Sequence, residues 1–124
     1  MAYDRSNIFA RILRGELPCQ RVYEDEHALA FRDINPLAPV HVLVVPKGEY
    51  VSMDDFSASA PPEAIAGFFC AVGETARRLG VAVNGYRFLA NSGADGNQEV
   101  MHFHVHIFAG APLGRMLKKV EARS

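Results

Sequence analysis

The 124-residue chain has no excess of charge of either sign. Its 13 Lys and Arg residues nearly balance its 14 Asp and Glu residues, for a formal net charge of −1. Because nucleic acid polymers and anionic membranes attract an excess of basic charge, this balance argues against both as partners. The N-terminus also lacks an unbroken apolar run and carries acidic residues, so we expect neither a signal peptide, a transit peptide nor a membrane span.

Cysteine is scarce as well. Cys19 and Cys70 are the two cysteines, and their spacing matches neither a zinc knuckle nor a redox pair. Without a secretory signal, we expect reduced thiols and a cytoplasmic location. No repeat, low-complexity tract or linker divides the sequence, and 49% of it is hydrophobic. We therefore expect one domain over 1–124 with a real core, ending in a C-terminal tail from about residue 111.

The periodicity predicts an α+β domain with about five mostly antiparallel strands and two flanking helices. Helical spacing of apolar residues predicts a short helix over 7–14 and a main helix over 61–79, which Gly80 ends. Alternation and turn residues predict the remaining elements. The predicted strands are 20–24, 27–32, 40–45, 86–91 and 100–109, of which the first two form a hairpin.

Three histidines, His102, His104 and His106, alternate with apolar residues near the end of the chain. Successive side chains of a strand point to opposite faces, so the imidazoles share one face and the apolar residues of 103–107 fill the other. Imidazole is the side chain with a pKa nearest neutrality. Three of them can therefore supply a nucleophile, a proton donor and a positioning hydrogen bond, which favours a catalytic role.

Two other interpretations of the histidine row stay open. The histidines could merely occupy the wet face of a strand. They could also bind zinc with an open coordination position, since a His-x-His pair and a third histidine are a known ligand set. Against zinc, same-face positions are ~7 Å apart along a strand, and no compact set of Asp, Glu or Cys lies beside them.

Nearly the whole chain carries motifs that occur together in one family. They are Asn7-Ile8-Phe9, Gly15-Glu16-Leu17-Pro18, Phe31-Arg32-Asp33-Ile34-Asn35-Pro36, Ala38-Pro39-Val40-His41, Val45-Pro46-Lys47, Asn91-Ser92-Gly93 and Gln98-Glu99-Val100-Met101-His102-Phe103-His104-Val105-His106. The set resembles the histidine-triad (HIT) nucleotide-binding family, in its purine nucleoside phosphoramidase-like branch. The resemblance implies a HIT-like fold with a five-stranded antiparallel sheet, and a homodimer that joins two sheets into one of ten strands.

The resemblance also implies an activity, the hydrolysis of a purine nucleoside 5′-phosphoramidate or related anhydride to the nucleoside monophosphate. His104 would attack the α-phosphorus and form a nucleotidyl-histidine intermediate. His102 would orient the cluster, and His106 would face the phosphate oxygens or the departing group. His41 resembles the fourth histidine of the family, which bonds this cluster and helps to move the proton, although packing in the core is the alternative.

Two other functions fit the same motifs. One is hydrolysis of dinucleoside polyphosphates through the same nucleotidyl-histidine, and the other is a nucleotide-binding regulatory protein without catalysis. The presence of all four histidines together with the predicted binding residues favours an enzyme. In each case the expected partner is a purine nucleotide.

The resemblance assigns nucleotide-binding positions too. Asp33 would accept from the ribose hydroxyls, although an aspartate here could instead start a turn. Asn91 and Gln98 would contact the phosphate or bridging atom, with a supporting role in a loop as the alternative. The candidate walls of the purine pocket are Phe9, Ile12, Phe31 and Ile34.

Three positions depart from the family patterns. Residues 7–10 lack the Cys-x-x-Cys of some bacterial relatives, and Glu49 replaces a histidine that many relatives carry. We therefore expect no structural metal and no cofactor. Glu99 stands where the animal phosphoramidases carry a serine that touches phosphate. Because a carboxylate cannot donate to phosphate as a hydroxyl does, we expect the Glu99 side chain to turn away and leave only its backbone amide.

Overall fold

The computed structural model describes residues 2–123, which form three helices and one five-stranded sheet. The elements are α1 (Ile8–Leu13), β1 (Arg21–Glu24), β2 (Ala28–Arg32), β3 (Val40–Pro46), α2 (Met53–Ser59), α3 (Pro62–Arg78), β4 (Arg87–Leu89) and β5 (Val105–Ala109). The strand order is β1-β2-β3-β5-β4, and every neighbouring pair is antiparallel. The predicted α+β class and five-stranded antiparallel sheet are confirmed.

Strand alternation gives the sheet two different faces. On one face Val42 and Val44 of β3 pack in a cluster with Phe68 of α3. On the other face Leu43 and Val45 pack in a smaller cluster with Phe9 of α1. The register pairs Leu43 with His106 and His41 with Phe108. Because directly paired residues project to the same side, both histidines lie on the α1 face.

Local sequence sets the ends of the two predicted helices. The Asn7 side chain accepts the backbone N–H of Ala10 at 2.9 Å, which satisfies an otherwise unpaired donor at the start of α1. Past the ends of α1 and α3, Gly15 and Gly80 have φ of 79° and 74°. Glycine adopts this left-handed conformation without steric cost, so both helices end where the sequence predicts.

The sequence predicts two helices, and the structure adds α2. The Asp55 carboxylate accepts the backbone N–H groups of Val51 and Ser52, each at 2.7 Å, at the start of this helix. Phe56 is its one buried residue, and the ring stacks on Phe103 with centroids 4.8 Å apart. Seven residues with a single buried position give too little periodicity to detect, although the Ser-x-x-Asp start is a capping signature.

The predicted histidine strand over 100–109 is too long. Its observed equivalent, β5, starts only at Val105, which pairs with Val44. Pro46, the last residue of β3, has no N–H for the ladder, and its carbonyl accepts from the His102 side chain. The Phe103 N–H bonds to the Tyr50 carbonyl at 2.7 Å. Side chains still alternate between the two faces before β5 begins, since Phe103 is buried in the cluster that contains Phe68 of α3.

Two further features complete the described chain. The observed β4 is shorter than the predicted strand over 86–91, because β5 offers few residues beyond the Leu89 to His106 pair. Residues 111–123 contain no helix or strand. The Arg87 guanidinium donates to the Gly114 carbonyl at 2.8 Å, which ties this tail to β4. No described helix is both long and apolar enough to cross a membrane.

Candidate active site

His104 has one engaged and one free ring nitrogen. Its Nδ1 lies 2.7 Å from the His102 carbonyl oxygen, and because a carbonyl only accepts, Nδ1 carries the proton. The neutral ring therefore has its lone pair on Nε2. Among the described residues no buried polar side-chain atom lacks a hydrogen-bond partner, so this unpaired Nε2 must reach solvent although His104 is only 6% exposed. A ligand can therefore meet a lone pair held in a fixed direction.

His102 is bonded at both ring nitrogens. Its Nε2 donates to the Pro46 carbonyl oxygen at 2.9 Å, which leaves the lone pair on Nδ1. The Tyr3 hydroxyl lies 2.6 Å from this Nδ1 and donates to it. His102 is 1% exposed and has no nitrogen left for a ligand. The structure thus gives it a supporting position beside His104.

His41 and His106 form a chain with a defined direction. The backbone N–H of Leu37 donates to His41 Nδ1 at 3.1 Å, so His41 carries its own proton on Nε2. His41 Nε2 then donates to His106 Nδ1 at 2.9 Å. Neutral His106 must therefore carry its proton on Nε2. The centroid of the His106 ring, which carries this N–H, lies 5.0 Å from that of the His104 ring, which carries the free lone pair.

Burial holds the cluster in its neutral forms. Removal from water, together with the neighbouring imidazoles, lowers the pKa of His102 and of His106 to about 4. Burial also lowers the pKa of His104 and of His41, against an opposing effect of Asp33. At neutral pH all four imidazoles are uncharged, so His104 has the lone pair that a nucleophile needs.

Aromatic rings support the histidines on both sides. Phe9 contacts the His104 ring edge to face, with centroids 4.9 Å apart. Phe108 lies parallel to His106 at 5.5 Å and 4.3 Å from the His41 ring. Phe108 follows His106 at the same spacing of two residues, so the sequence pattern could have placed it on the histidine face. These contacts fix ring orientation without using a ring nitrogen.

Within residues 2–123, one group meets the spacing of a metal site. Asp33, His41 and His106 each offer a ligand atom, all within 4.8 Å of one another. Metal binding through His41 Nε2 would require its proton to move to Nδ1, where the Leu37 N–H already donates. The group is therefore better satisfied as a hydrogen-bond chain than as a ligand set.

We expect the purified protein to hold no stoichiometric zinc, because the His41 tautomer opposes coordination. Elemental analysis measures the metal content, and thermal unfolding with and without a chelator measures any stabilisation by metal. About one zinc per chain, or a melting temperature that a chelator lowers and zinc restores, would contradict this expectation.

The two carboxylate oxygens of Asp33 have different neighbours. Its Oδ1 accepts the N–H of Asn35 at 2.8 Å, which is the turn that the sequence allowed as the alternative. Its Oδ2 lies 3.4 Å from His41 Nε2, so the carboxylate also sits beside the histidine chain. Carboxylate oxygens have further lone pairs, so these contacts leave capacity for a ribose hydroxyl.

The other polar candidates differ in their surroundings. The buried Gln98 side chain accepts from the Gly93 N–H at 3.0 Å and donates to the carbonyls of Val51 and Val100. Its amide therefore supports the loop, which was the alternative interpretation, and contact with phosphate stays a prediction. Asn91 is half-buried just after β4, and Glu99 is exposed.

The four candidate purine walls do not form one surface. Phe9 and Phe31 are buried in the α1-side cluster, 5.5 Å apart, with Ile12 half-buried against them. Ile34 is 89% exposed next to Asp33. Phe9 touches His104 and Ile34 follows Asp33 directly, so these two border the His104 ring and the Asp33 carboxylate. Their contact with a base stays a prediction.

Sequence reasoning missed the groups that set the tautomers. Most are backbone atoms, the Leu37 N–H and the carbonyls of Pro46 and His102, which no side-chain pattern reveals. Tyr3 was also missed, because 99 positions separate it from His102. No spacing rule joins residues that far apart.

The fold and site together define a protein with a four-histidine centre on one face of an antiparallel sheet. The HIT domain family model matches residues 14–113. The chain is 40% identical over 110 residues to the purine nucleoside phosphoramidase of Escherichia coli, covering 89% of this chain and 92% of that protein. It is 64% identical over 117 residues to a HIT-like protein of Azospirillum brasilense, covering 94% and 96%.

Solved structures give the same result. A HIT family hydrolase from Clostridium thermocellum matches with a TM-score of 0.84 at 35% identity, over 92% of this chain and 99% of that one. A histidine triad protein from Clostridium difficile matches with a TM-score of 0.81 at 39% identity, over 94% and 100%. The chain belongs to the HIT family, as its motifs predicted.

Proposed function

We propose that this protein is a hydrolase that cleaves purine nucleoside 5′-phosphoramidates to nucleoside monophosphates through a nucleotidyl-histidine on His104. The observation that supports this most strongly is the His104 ring, whose Nδ1–H is bound by a carbonyl at 2.7 Å and whose Nε2 is free. The 40% identity to a purine nucleoside phosphoramidase supports the substrate class.

In the first step, His104 Nε2 attacks the α-phosphorus. A phosphorus–nitrogen bond to His104 forms while the bond to the amine breaks, and the amine leaves with a proton from solvent. The free N–H on His106 Nε2 donates to a phosphate oxygen, which stabilises the charge that develops there. Asp33 accepts from the ribose and fixes the nucleoside.

In the second step, water attacks the same phosphorus and the bond to His104 breaks. The water proton returns to solvent, the nucleoside monophosphate leaves, and His104 regains its lone pair. The His102 carbonyl keeps the Nδ1 proton in place through both steps. The His104 ring of the nucleotidyl intermediate is therefore cationic, and it leaves the phosphorus as a neutral imidazole.

The test compares turnover of a fluorogenic adenosine phosphoramidate with that of diadenosine polyphosphates. We expect a higher kcat/KM for the phosphoramidate. A higher value for the polyphosphates would identify the neighbouring hydrolase activity instead. Nucleotide binding without turnover of either substrate would identify a nucleotide-binding regulatory protein.

We also propose a homodimer and a cytoplasmic location. β4 is an outer strand that pairs on one side only, with β5, and its central residue Phe88 is 55% exposed. An open strand edge with an exposed aromatic ring favours pairing with a second copy. Such pairing would give the sheet of ten strands that the family resemblance implies.

Replacing Phe88 with glutamate is expected to shift the protein from dimer to monomer, because a carboxylate in an apolar interface loses its hydration. Light scattering at micromolar concentration measures the mass. Val83→Glu is the control, since Val83 is 93% exposed and lies outside the strands. A wild-type monomer, or a Phe88→Glu dimer of unchanged affinity, would contradict dimerisation through β4.

A further inference from the structure

The segment before α1 is held against the loop that follows β3. The Asn7 side chain donates to the Asp4 carbonyl at 2.7 Å, and Arg14 of the helix C-cap donates to the Arg5 carbonyl at 2.8 Å. Arg5 also pairs with Glu49 at 2.9 Å, although this pair is exposed and contributes little free energy. These contacts give the segment a defined path that brings Tyr3 to the histidine cluster.

Tyr3 makes a short and directional contact there. Its hydroxyl lies 2.6 Å from His102 Nδ1, and the two rings meet edge to face with centroids 5.6 Å apart. Burial raises the pKa of the Tyr3 hydroxyl, so it keeps its proton and remains a donor at neutral pH. Since the Pro46 carbonyl holds the Nε2 proton of His102, Tyr3 supplies the second fixed point of this ring.

The position of His102 matters because its own carbonyl holds His104. Residues 102–104 lie outside β5, so no strand ladder fixes that peptide. The peptide unit between His102 and Phe103 is held at its N–H end by the Tyr50 carbonyl at 2.7 Å. Its carbonyl end accepts the Nδ1 proton of His104 at 2.7 Å. The anchored His102 side chain and the bond from Phe103 to Tyr50 therefore fix together where this carbonyl points.

We propose that Tyr3 is a positioning residue, which fixes the His102 ring and through it the carbonyl that keeps the proton of His104 on Nδ1. Its kinetic consequence rests on the proposed function. Its structural consequence, a single His104 tautomer, does not. No covalent step involves Tyr3, and it contacts neither His104 nor the phosphate in this role.

The test is Tyr3→Phe, which keeps the ring and removes only the hydroxyl. In this variant the buried His102 Nδ1 loses its donor, so the orientation of the His102 ring and the tautomer of His104 can vary. We therefore expect kcat to fall about tenfold, with KM within about twofold of the wild type. Tyr23→Phe is the matched control, since the half-buried Tyr23 bonds Asp25 through its hydroxyl at 2.9 Å and packs against the cluster on the α3 face, away from the histidines. Thermal unfolding of both variants separates lost stability from lost positioning.

Nitrogen-15 chemical shifts of the His104 ring, measured without substrate, give a readout that stability alone does not move. We expect a protonated Nδ1 and an unprotonated Nε2 in the wild type and in Tyr23→Phe, and averaged shifts in Tyr3→Phe. Wild-type shifts or wild-type kcat in Tyr3→Phe would overturn the positioning role. If the wild type shows no phosphoramidate turnover, the proposed function fails, and the nitrogen shifts still decide whether Tyr3 positions His104.

Discussion

Replacing His104 with alanine is expected to lower phosphoramidate turnover by ~10³-fold or more, the usual scale for removing a nucleophile that acts with its neighbours. No other ring nitrogen can replace it. His102 has both nitrogens engaged, and His106 Nδ1 accepts from His41 while its Nε2 is protonated. Steady-state kinetics measure turnover, and titration with a nucleoside monophosphate measures retained binding.

The control for this prediction is His27→Ala. His27 lies at the turn between β1 and β2, packs beside Gly67 of α3, and belongs to none of the bonds among the other four histidines. We expect this variant to keep nearly full turnover. Phosphoramidate turnover by His104→Ala within tenfold of the wild type would contradict the covalent mechanism. Mass spectrometry after rapid acid-free quenching should detect the nucleotidyl adduct in the wild type and in His27→Ala only.

Acid is expected to destabilise the fold well before the carboxylates become protonated. Burial lowers the pKa of His102 and of His106 from 6.5 to about 4. Between these values the unfolded chain binds more protons than the native protein, so the free energy of unfolding falls as pH falls. The stabilisation is complete above pH 6.5 and is lost as the pH decreases toward about 4.

The expected loss between pH about 7 and about 5 is on the order of 2 kcal/mol for each of the two histidines, since each unit of pKa shift corresponds to ~1.4 kcal/mol. Urea unfolding at a series of pH values measures it. His102→Gln removes one buried imidazole and should flatten this dependence, whereas His27→Gln controls for the loss of a half-buried imidazole outside the cluster. A free energy of unfolding that stays constant from pH about 7 to about 5 would contradict the buried neutral state.

The two predictions share one physical origin. An apolar, water-poor site keeps the imidazoles neutral, which supplies the nucleophilic lone pair of His104 and also makes the native state sensitive to acid. Phosphoramidate turnover and the free energy of unfolding are therefore both expected to fall as the pH falls. Single-turnover measurements at acid pH would separate protonation of His104 from unfolding.

Much of the site could be predicted from the sequence because strand parity depends only on counting. The alternation of His104, Val105 and His106 assigns faces whether or not a ladder forms, and it holds for Phe103 although this residue precedes β5. The family motifs, and not strand parity, assigned His41 and Asp33 to the site; Asp33 directly follows β2, and His41 lies on the neighbouring β3.

The extent of the elements was less predictable. The histidine strand begins later than predicted, at Val105, because Pro46 on the neighbouring strand has no N–H to donate. α2 was missed because its single buried residue, Phe56, finds its partners on α3 and next to β5 rather than within the helix. Both outcomes depend on residues from other elements, which a local pattern does not contain.

The sequence by itself determined the family, the antiparallel α+β architecture, the helix ends at Asn7 and Gly80, and the face that carries the histidines. The family follows from the resemblance of its motifs, and the other features follow from local backbone preferences or from residue spacing. Only the tertiary structure decided which nitrogen of each histidine holds the proton. That choice depends on the Leu37 N–H, the carbonyls of Pro46 and His102, and the Tyr3 hydroxyl. Folding brings these groups to the rings from distant parts of the chain, and hydrogen-bond direction then selects the tautomer.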